Sequence, residues 1–285
     1  MNKLFPLLFA VVAFSFYSCE KEYSLENGTS VGSDLIVGID CRISKIVYID
    51  SSSNIGIGSI DAVINSLDDV SKITRFDSLS NTISNIITPV YTNDSIYINA
   101  DEYFVYGSNK RIIKMHGLVD PTDPFSIQFD VFYLYDAAGH LIIKDYFLTS
   151  NPINPYKRVT YSYADGNLSH MSAVDLLSGD MEADADMTYY SSIIPQKSMY
   201  IFPDEVPYAD LNQFFNFGLR NFNAVKGMIV RSYDPGNVVR DSAVSTFSSY
   251  TMSRDNYVIG VYMLGDDQPS IPAAVGKLNF SYKCR

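Results

Sequence analysis

The chain has 285 residues, of which 47% are hydrophobic and 14% aromatic, and its formal net charge at pH 7 is −11. This charge argues against nucleic-acid binding, because phosphates require stripes of Lys and Arg that the sequence lacks. With 22 Tyr and 17 Phe the chain can bury a substantial core, and one β domain of roughly 250 residues lies within the usual range.

The first 18 residues have the pattern of a secretory signal. Lys3 supplies a positive start, and residues 4–16 form an apolar stretch that is too short to span a membrane. The run Phe16-Tyr17-Ser18-Cys19 resembles a bacterial lipobox in the looser form of Bacteroidota lipoproteins. The resemblance implies a lipoprotein signal peptide over residues 1–18 and lipidation of Cys19. An ordinary secretory signal with a chance Cys is the alternative.

Residues 19–34 are predicted to be a flexible tether between the anchor and the domain. The segment is polar, contains Gly28 and Gly32, and starts with the charged run Glu20-Lys21-Glu22. An acidic run directly after the lipidated Cys resembles the signal that sends Bacteroidota lipoproteins to the outer face of the outer membrane. We therefore expect a protein that is lipid-anchored to the outer membrane and exposed on the cell surface. The periplasmic face is the alternative.

A single antiparallel β domain is expected over residues 35–285, and its first half consists of short strands. Clusters of turn-forming residues separate runs that are rich in β-branched and aromatic residues. Within residues 60–67 the apolar side chains have helical spacing, so a short helix competes with a strand there. The other strands of this half are expected at residues 35–50, 72–76, 82–87, 95–98, 103–106 and 111–115.

A hairpin over residues 127–147 is the strongest local prediction. In its first arm five apolar or aromatic residues share one face because strand side chains alternate. Asp136 is expected to cap the turn, and Gly139 to supply the positive φ that closes a four-residue loop. The residues that share the apolar face are Ile127, Phe129, Val131, Tyr133 and Tyr135.

Hairpins of the same kind are expected after it. Asp165-Gly166 favours a tight two-residue turn, and Pro235-Gly236 suits a type II turn. Between them the period changes: Leu211, Phe214, Phe215 and Leu219 have helical spacing, which predicts one short helix near residues 208–220. Further strands are expected at residues 159–163, 168–177, 187–194, 226–233, 245–252, 257–264 and 277–283.

Strands joined in sequence by tight turns favour an all-β fold, an antiparallel meander of successive hairpins that forms a curled sheet or a sandwich. The motif Tyr-x-Tyr-Asp-x-x-Gly-x-Leu at residues 133–141, echoed at residues 161–168 and 232–237, resembles the YD-type hairpins of RHS-like repeat proteins. With the strand of residues 41–46 and the stretch of residues 218–225, it resembles the YD-hairpin lipoproteins of Bacteroidota, a group of unknown function. The resemblance implies an antiparallel sheet and no known activity.

Three Cys are present, and if Cys19 carries lipid, Cys41 and Cys284 remain at the two ends of the domain. Outside the cytoplasm a disulfide is allowed, and both Cys fall on the apolar side of their strands. We predict a disulfide between them, with two buried free thiols as the alternative.

Four carboxylates alternate in the run Asp180, Glu182, Asp184 and Asp186. On a strand they would line one face and repel one another unless they are solvated or hold a hard cation. A solvated acidic face is the simpler interpretation, and a weak Ca²⁺ site is the sharper hypothesis. No other cofactor is expected.

No motif predicts catalysis. His116, His140 and His170 are isolated in sequence, without the spacing of a metal site, and there is no Gly-x-Ser-x-Gly elbow, P-loop or dinucleotide fingerprint. Alternating Tyr residues on strands are expected to pack the core more often than to form a binding surface. The sequence favours a non-enzymatic binding or structural module whose partner is a glycan or a protein. A hydrolase with a site built from loops is the alternative.

Overall fold

A computed structural model describes residues 41–49, 56–67, 69–77, 82–119, 126–203, 211–265 and 276–284. These residues contain seventeen strands, joined by turns and longer connections. The strands are Cys41–Ile49 (β1), Gly56–Ile64 (β2), Val70–Asp77 (β3), Thr82–Ile87 (β4), Val90–Tyr91 (β5), Ser95–Tyr97 (β6), Tyr103–Tyr106 (β7), Ile112–Leu118 (β8), Gln128–Tyr135 (β9), Leu141–Leu148 (β10), Lys157–Ala164 (β11), Asn167–Asp175 (β12), Met181–Tyr189 (β13), Val225–Asp234 (β14), Val238–Met252 (β15), Val258–Gly265 (β16) and Gly276–Cys284 (β17).

All the strands belong to one antiparallel sheet, in which nearly every strand pairs with its neighbours in sequence. The exception is β4 and β5, whose described residues do not pair with each other, and an additional pairing of β17 with β1 joins the ends of the described chain. The order of pairing thus runs from β4 through β3, β2 and β1 to β17, and from there back along the chain to β5. The sheet does not close on itself. The predicted all-β meander is confirmed, in the form of one curled sheet.

The central hairpin is confirmed in its arms and in its turn. Asp136 caps the turn, since its Oδ1 accepts hydrogen bonds from the backbone N–H groups of Gly139 at 2.6 Å and His140 at 2.8 Å. Gly139 has a φ of 107°, in the region that favours glycine. Val131 and Tyr133 of the predicted apolar face are buried, but Ile127 at its end is exposed.

The turns predicted further along lie where expected. Asp165 and Gly166 join β11 and β12 with φ angles of 51° and 73°, as a tight turn requires. The run 235–237 joins β14 and β15, and Gly236 there has a φ of 82°.

One open alternative is decided and two local predictions are corrected. Residues 60–64 belong to β2, so the strand, not the helix, is correct there. The strand expected at residues 187–194 begins and ends earlier, as β13, because the acidic run itself is extended. The helix expected near residues 208–220 is a 3₁₀ turn at Leu211–Gln213 followed by irregular chain, while residues 204–210 lie outside the described part.

The core lies on one face of the sheet, called here the inner face. Apolar side chains from strands far apart in sequence join one buried cluster, among them Ile43 of β1, Val131 of β9 and Phe280 of β17. Since strand residues alternate between the faces, many polar residues lie on the opposite, outer face, for example Asp184 of β13 and Arg231 of β14. Burial of these apolar side chains is the main stabilising contribution to the fold.

The described residues of the connection between β13 and β14, 190–203 and 211–224, pack on the inner face and are called here the inner connection. Its backbone N–H groups and carbonyls bond to successive hairpins: Ile112 N–H donates to Asn216 O, Leu219 N–H to Gly139 O, and Phe222 N–H to Gly166 O, at 2.9, 2.9 and 3.1 Å. The aromatic residues that looked helical in sequence therefore serve as core of the sheet, since tertiary contacts replace the helical hydrogen bonds.

Phe217 is the centre of the inner connection. It is 1% exposed, and its ring lies 5.4 Å from Tyr133 and 5.9 Å from Phe104, centroid to centroid. A cavity beside Ser198 and Val258 measures about 10 Å³, roughly the space that one water molecule needs. Side chains of the inner connection thus pack directly against those of the sheet.

Candidate functional site

Cys41 and Cys284 form a disulfide, as predicted, while Cys19 lies outside the described residues. The two Cys are paired residues of β1 and β17, with their Cα atoms 4.0 Å apart. The bridge therefore covalently joins the strands at which the two ends of the described chain meet.

The acidic run starts one residue before β13 and continues along it, and each of its carboxylates meets a donor. Asp184 and Asp186 both accept from Arg231 Nη1, at 2.7 and 2.9 Å. Glu182 lies 2.6 Å from Lys157 Nζ, and Asp180 accepts from a backbone N–H of the β14–β15 turn. Among the described residues, no group of three or more His, Cys, Asp or Glu is placed to hold a metal ion. The Ca²⁺ site stays a prediction.

Arg231 is the middle of a charged network on the outer face of β12 to β14. Hydrogen bonds from His170 and from Arg231 lower the pKa of Asp186, and the hydrogen bond to Asp184 raises the pKa of Tyr233. The first shift favours the charged carboxylate of Asp186, and the second favours the protonated hydroxyl of Tyr233, which donates to Asp184. The network accounts for the alternating carboxylates as cross-strand partners.

The three His residues, isolated in sequence, each meet an Asp in space. His116 Nδ1 lies 2.9 Å from Asp130 Oδ1, and the corresponding distances are 3.2 Å for His140 with Asp136 and 2.9 Å for His170 with Asp186. Cross-strand register makes two of these pairs, since His116 faces Asp130 and His170 faces Asp186. Sequence reasoning missed them because the partners are 14 and 16 residues apart.

Most of the clustered Tyr residues are structural, as expected. Their rings pack on the inner face while their hydroxyls donate to backbone carbonyls: Tyr135 to Ile112 at 2.6 Å, and Tyr189 to Leu168 at 2.8 Å. Burial raises the pKa of Tyr189. A buried phenol needs such a partner, so the Tyr alternation belongs to the architecture of the sheet.

Lys144 occupies an unusual position, since it points from β10 into the core and is fully buried. Its Nζ lies 4.5 Å from the ring centroid of Phe202 and 5.5 Å from that of Tyr161. Cation–π attraction of this kind compensates part of the cost of burying an ammonium group. Lys144 thereby joins the inner connection to the sheet.

A different group of side chains lies on the outer face of β6 to β9. Its members share one face, form two adjacent cross-strand rows, and combine aromatic rings with charges. We call it the outer-face patch, and it consists of Tyr97, Tyr103, Lys114, His116, Asp130 and Phe132.

The first row of the patch crosses the strands from Tyr97 through Tyr103 to His116. The ring centroids of Tyr97 and Tyr103 are 5.2 Å apart, and those of Tyr103 and His116 are 5.0 Å apart. Asp130 continues the row on β9 and bonds to His116 on one oxygen and to Lys114 Nζ, at 2.9 Å, on the other.

The second row contains Lys114 and Phe132, which are paired in register. Lys114 Nζ lies 5.3 Å from the ring centroid of Phe132, and Phe132 is 39% exposed. Beyond it, Asp145 is bound by Arg158 through two hydrogen bonds of 2.6 and 2.7 Å. One signal in the sequence could have revealed the patch: the face of β9 that starts as Gln128 and Asp130 continues with apolar residues.

Among the residues that the structure describes, no helix has both the length and the apolar character needed to cross a membrane.

No protein-family model matches the sequence, and no curated protein matches it. Among solved structures, a porin-like protein from Bacteroides uniformis ATCC 8492 has a similar fold, with a TM-score of 0.61 and 12% identity over 85% of this chain and 98% of that chain. A porin-like protein from Bacteroides vulgatus ATCC 8482 gives a TM-score of 0.49 and 11% identity, over 86% of this chain and 99% of that chain. The similarity to the first of these shows a shared fold.

Proposed function

We propose that the protein is a lipid-anchored β-sheet module of the outer membrane, exposed at the cell surface, that acts by binding or as a structural element and not by catalysis. The observation that supports this proposal is the difference between the two faces of the sheet: one face carries the buried core, and the other carries exposed aromatic side chains and ion pairs. The inner connection packs on the inner face, and we assign recognition of a partner to the outer face, where Tyr97 and Phe132 are exposed beside ion pairs.

The location rests on two kinds of support. The lipobox-like run that ends at Cys19 and the acidic residues after it fit an anchored, exported protein. The fold shared with the porin-like protein from Bacteroides uniformis is consistent with an outer-membrane or surface protein.

The outer face suits contact with water, with the sheet held away from the lipid by the tether. It carries ion pairs on several strands, for example Lys45 with Asp61 at 3.0 Å and Lys114 with Asp130 at 2.9 Å. Charged side chains in contact with lipid are costly, whereas paired charges on a water-exposed surface are not.

Metabolic labelling with a fatty-acid analogue tests the anchor. The full chain is expected to take up label, and the Cys19→Ala variant is expected to take up none and to leave the membrane fraction. Equal labelling of the variant would contradict the lipid anchor. A wild-type chain that carries no label would support the ordinary secretory signal.

Protease treatment of intact cells tests the surface location. We expect cleavage of the folded protein, or of its tether, without cell lysis, with a periplasmic lipoprotein of the same cells as the control. Full protection would place the protein on the periplasmic face. A screen of the purified protein against glycan and ester substrates tests the absence of catalysis, and turnover that exceeds that of a denatured sample would favour the alternative hydrolase.

A further inference from the structure

The exposure of the outer-face patch makes it a candidate binding surface. Tyr97 is 36% exposed and Phe132 39% exposed, and the neighbouring Leu134 on the same face is 44% exposed. Phe132 and Leu134 form one exposed apolar area on β9, and Tyr97 lies at the other end of the patch on β6. Exposed apolar area of this kind, rimmed by polar groups, is a feature of interaction sites. The aromatic rings offer apolar area with little loss of side-chain entropy on binding.

The charges around these rings cancel one another. Asp130 is bound by Lys114 and hydrogen-bonded to His116, and Asp145 is held by two hydrogen bonds from Arg158. The surface therefore holds two cations and two anions in fixed pairs. An anionic polymer meets no unpaired cation here and also meets a chain with a net charge of −11. A cationic peptide meets no unpaired carboxylate.

The ion pairs nevertheless offer hydrogen bonds in fixed directions. A carboxylate has more acceptor positions than its two partners use, and an ammonium group has three donors. Preorganised polar groups of this kind, beside aromatic rings, suit a ligand that has many hydroxyls, no charge and apolar C–H surfaces. A saccharide has this combination of properties.

The geometry of the first row suits a chain of sugars. Neighbouring strands lie about 4.8 Å apart, and the successive ring centroids are accordingly 5.2 and 5.0 Å apart. This repeat is close to the length of one sugar unit in an extended glycan. We infer that the outer-face patch binds a neutral, extended glycan whose chain runs across β6 to β9. The inference rests on the proposed binding function and names its ligand class and site.

The full-length protein in mild detergent is tested on an array of neutral glycans (β-glucan, xylan and mannan fragments) and acidic glycans (polygalacturonate and hyaluronan fragments). Binding to at least one neutral glycan is expected. Titration calorimetry with that glycan is then repeated on Tyr97→Ala and Phe132→Ala, and each change is expected to weaken binding by about tenfold or more, as for aromatic residues at the centre of an interface.

Phe76→Ala is the matched control, because Phe76 lies on the outer face of β3, away from the patch, paired with Ser59. It is expected to change the affinity less than about twofold. Unchanged circular dichroism of all three variants would show that they are folded. Binding of acidic glycans only, neutral binding that survives both patch substitutions, or no glycan binding would overturn the inference. These outcomes are separate from the labelling and protease results, which test the anchored surface module itself.

Discussion

Gly218 is where the inner connection approaches the central hairpin most closely, and its replacement by Ala tests whether that contact stabilises the fold. Gly218 has a φ of 90°. A Cβ at this position would lie 2.3 Å from the carbonyl oxygen of Gly139 and 2.8 Å from a ring carbon of Tyr135. Neither neighbour is the flexible end of a side chain, so the backbone must move. The adjacent hydrogen bond from Leu219 to Gly139, 2.9 Å long, would lengthen with it.

Three costs add up for Gly218→Ala. A left-handed backbone costs a residue with a Cβ about 1–2 kcal/mol, overpacking about 1–3 kcal/mol, and the weakened hydrogen bond about 1 kcal/mol. We expect the free energy of unfolding to fall by about 3–6 kcal/mol in total. Urea unfolding followed by circular dichroism and Tyr fluorescence measures this change.

Gly236→Ala separates the steric cost from the backbone cost. Gly236 has a similar φ of 82°, but nothing lies within 4 Å of an added Cβ. It is therefore expected to lose only the backbone part, about 1–2 kcal/mol. Equal losses in the two variants would refute the idea that the inner connection is docked tightly on the hairpin.

Three further predictions concern the bridge, the charged network and the core. Replacing both Cys41 and Cys284 by Ala opens a loop of 243 residues and is expected to lower the free energy of unfolding by up to about 5 kcal/mol in the chain-entropy model; a loss below about 1 kcal/mol in urea would contradict that account. A hydrogen bond from His170, together with one from the Arg231 guanidinium, lowers the pKa of Asp186. The stability that the charged Asp186 contributes is therefore present above the ordinary pKa of Asp and is lost as the pH falls through the lowered value. In Asp186→Asn the melting temperature should therefore fall less between pH 6 and pH 2 than it does in the wild type. The same fall in both proteins would argue against the pair of Asp186 with His170. Phe217→Ala should cost about 3–5 kcal/mol as a large-to-small change in the core, and urea unfolding that shows less than about 1 kcal/mol would mean that the inner connection is not part of the cooperative fold.

The hairpins could be predicted because their information is local. Asp136 and Gly139 specify a turn whatever surrounds it, since one supplies a capping carboxylate and the other a positive φ. The alternation of β9 likewise identified Val131 and Tyr133 as core residues. The helix prediction failed at the inner connection, where the spacing of Phe214 and Phe215 indicated a helix. There the rings pack on distant strands, and tertiary contacts override local periodicity.

Only the β9 part of the outer-face patch could be read from the sequence, for a related reason. His116 had no visible partner, because Asp130 reaches it only when β8 and β9 pair in one particular register. The acidic run shows the same limit, since Arg231, its partner, is 45 to 47 residues away. A pattern of like charges in sequence does not show whether a cation or a neighbouring strand neutralises them.

By itself the sequence determined that the chain forms successive antiparallel hairpins. Turn residues and strand alternation act over a few positions, so the hairpins do not depend on the rest of the fold. The disulfide between Cys41 and Cys284 was a prediction from Cys number and compartment, and the pairing of β1 with β17 brings the two residues together. Only the tertiary structure decided that one sheet packs around residues 190–203 and 211–224 and that Tyr97, His116 and Phe132 share an outer surface. Strand order, register and the burial of a long connection arise from contacts between residues far apart in the chain, and a single sequence carries no local signal for them.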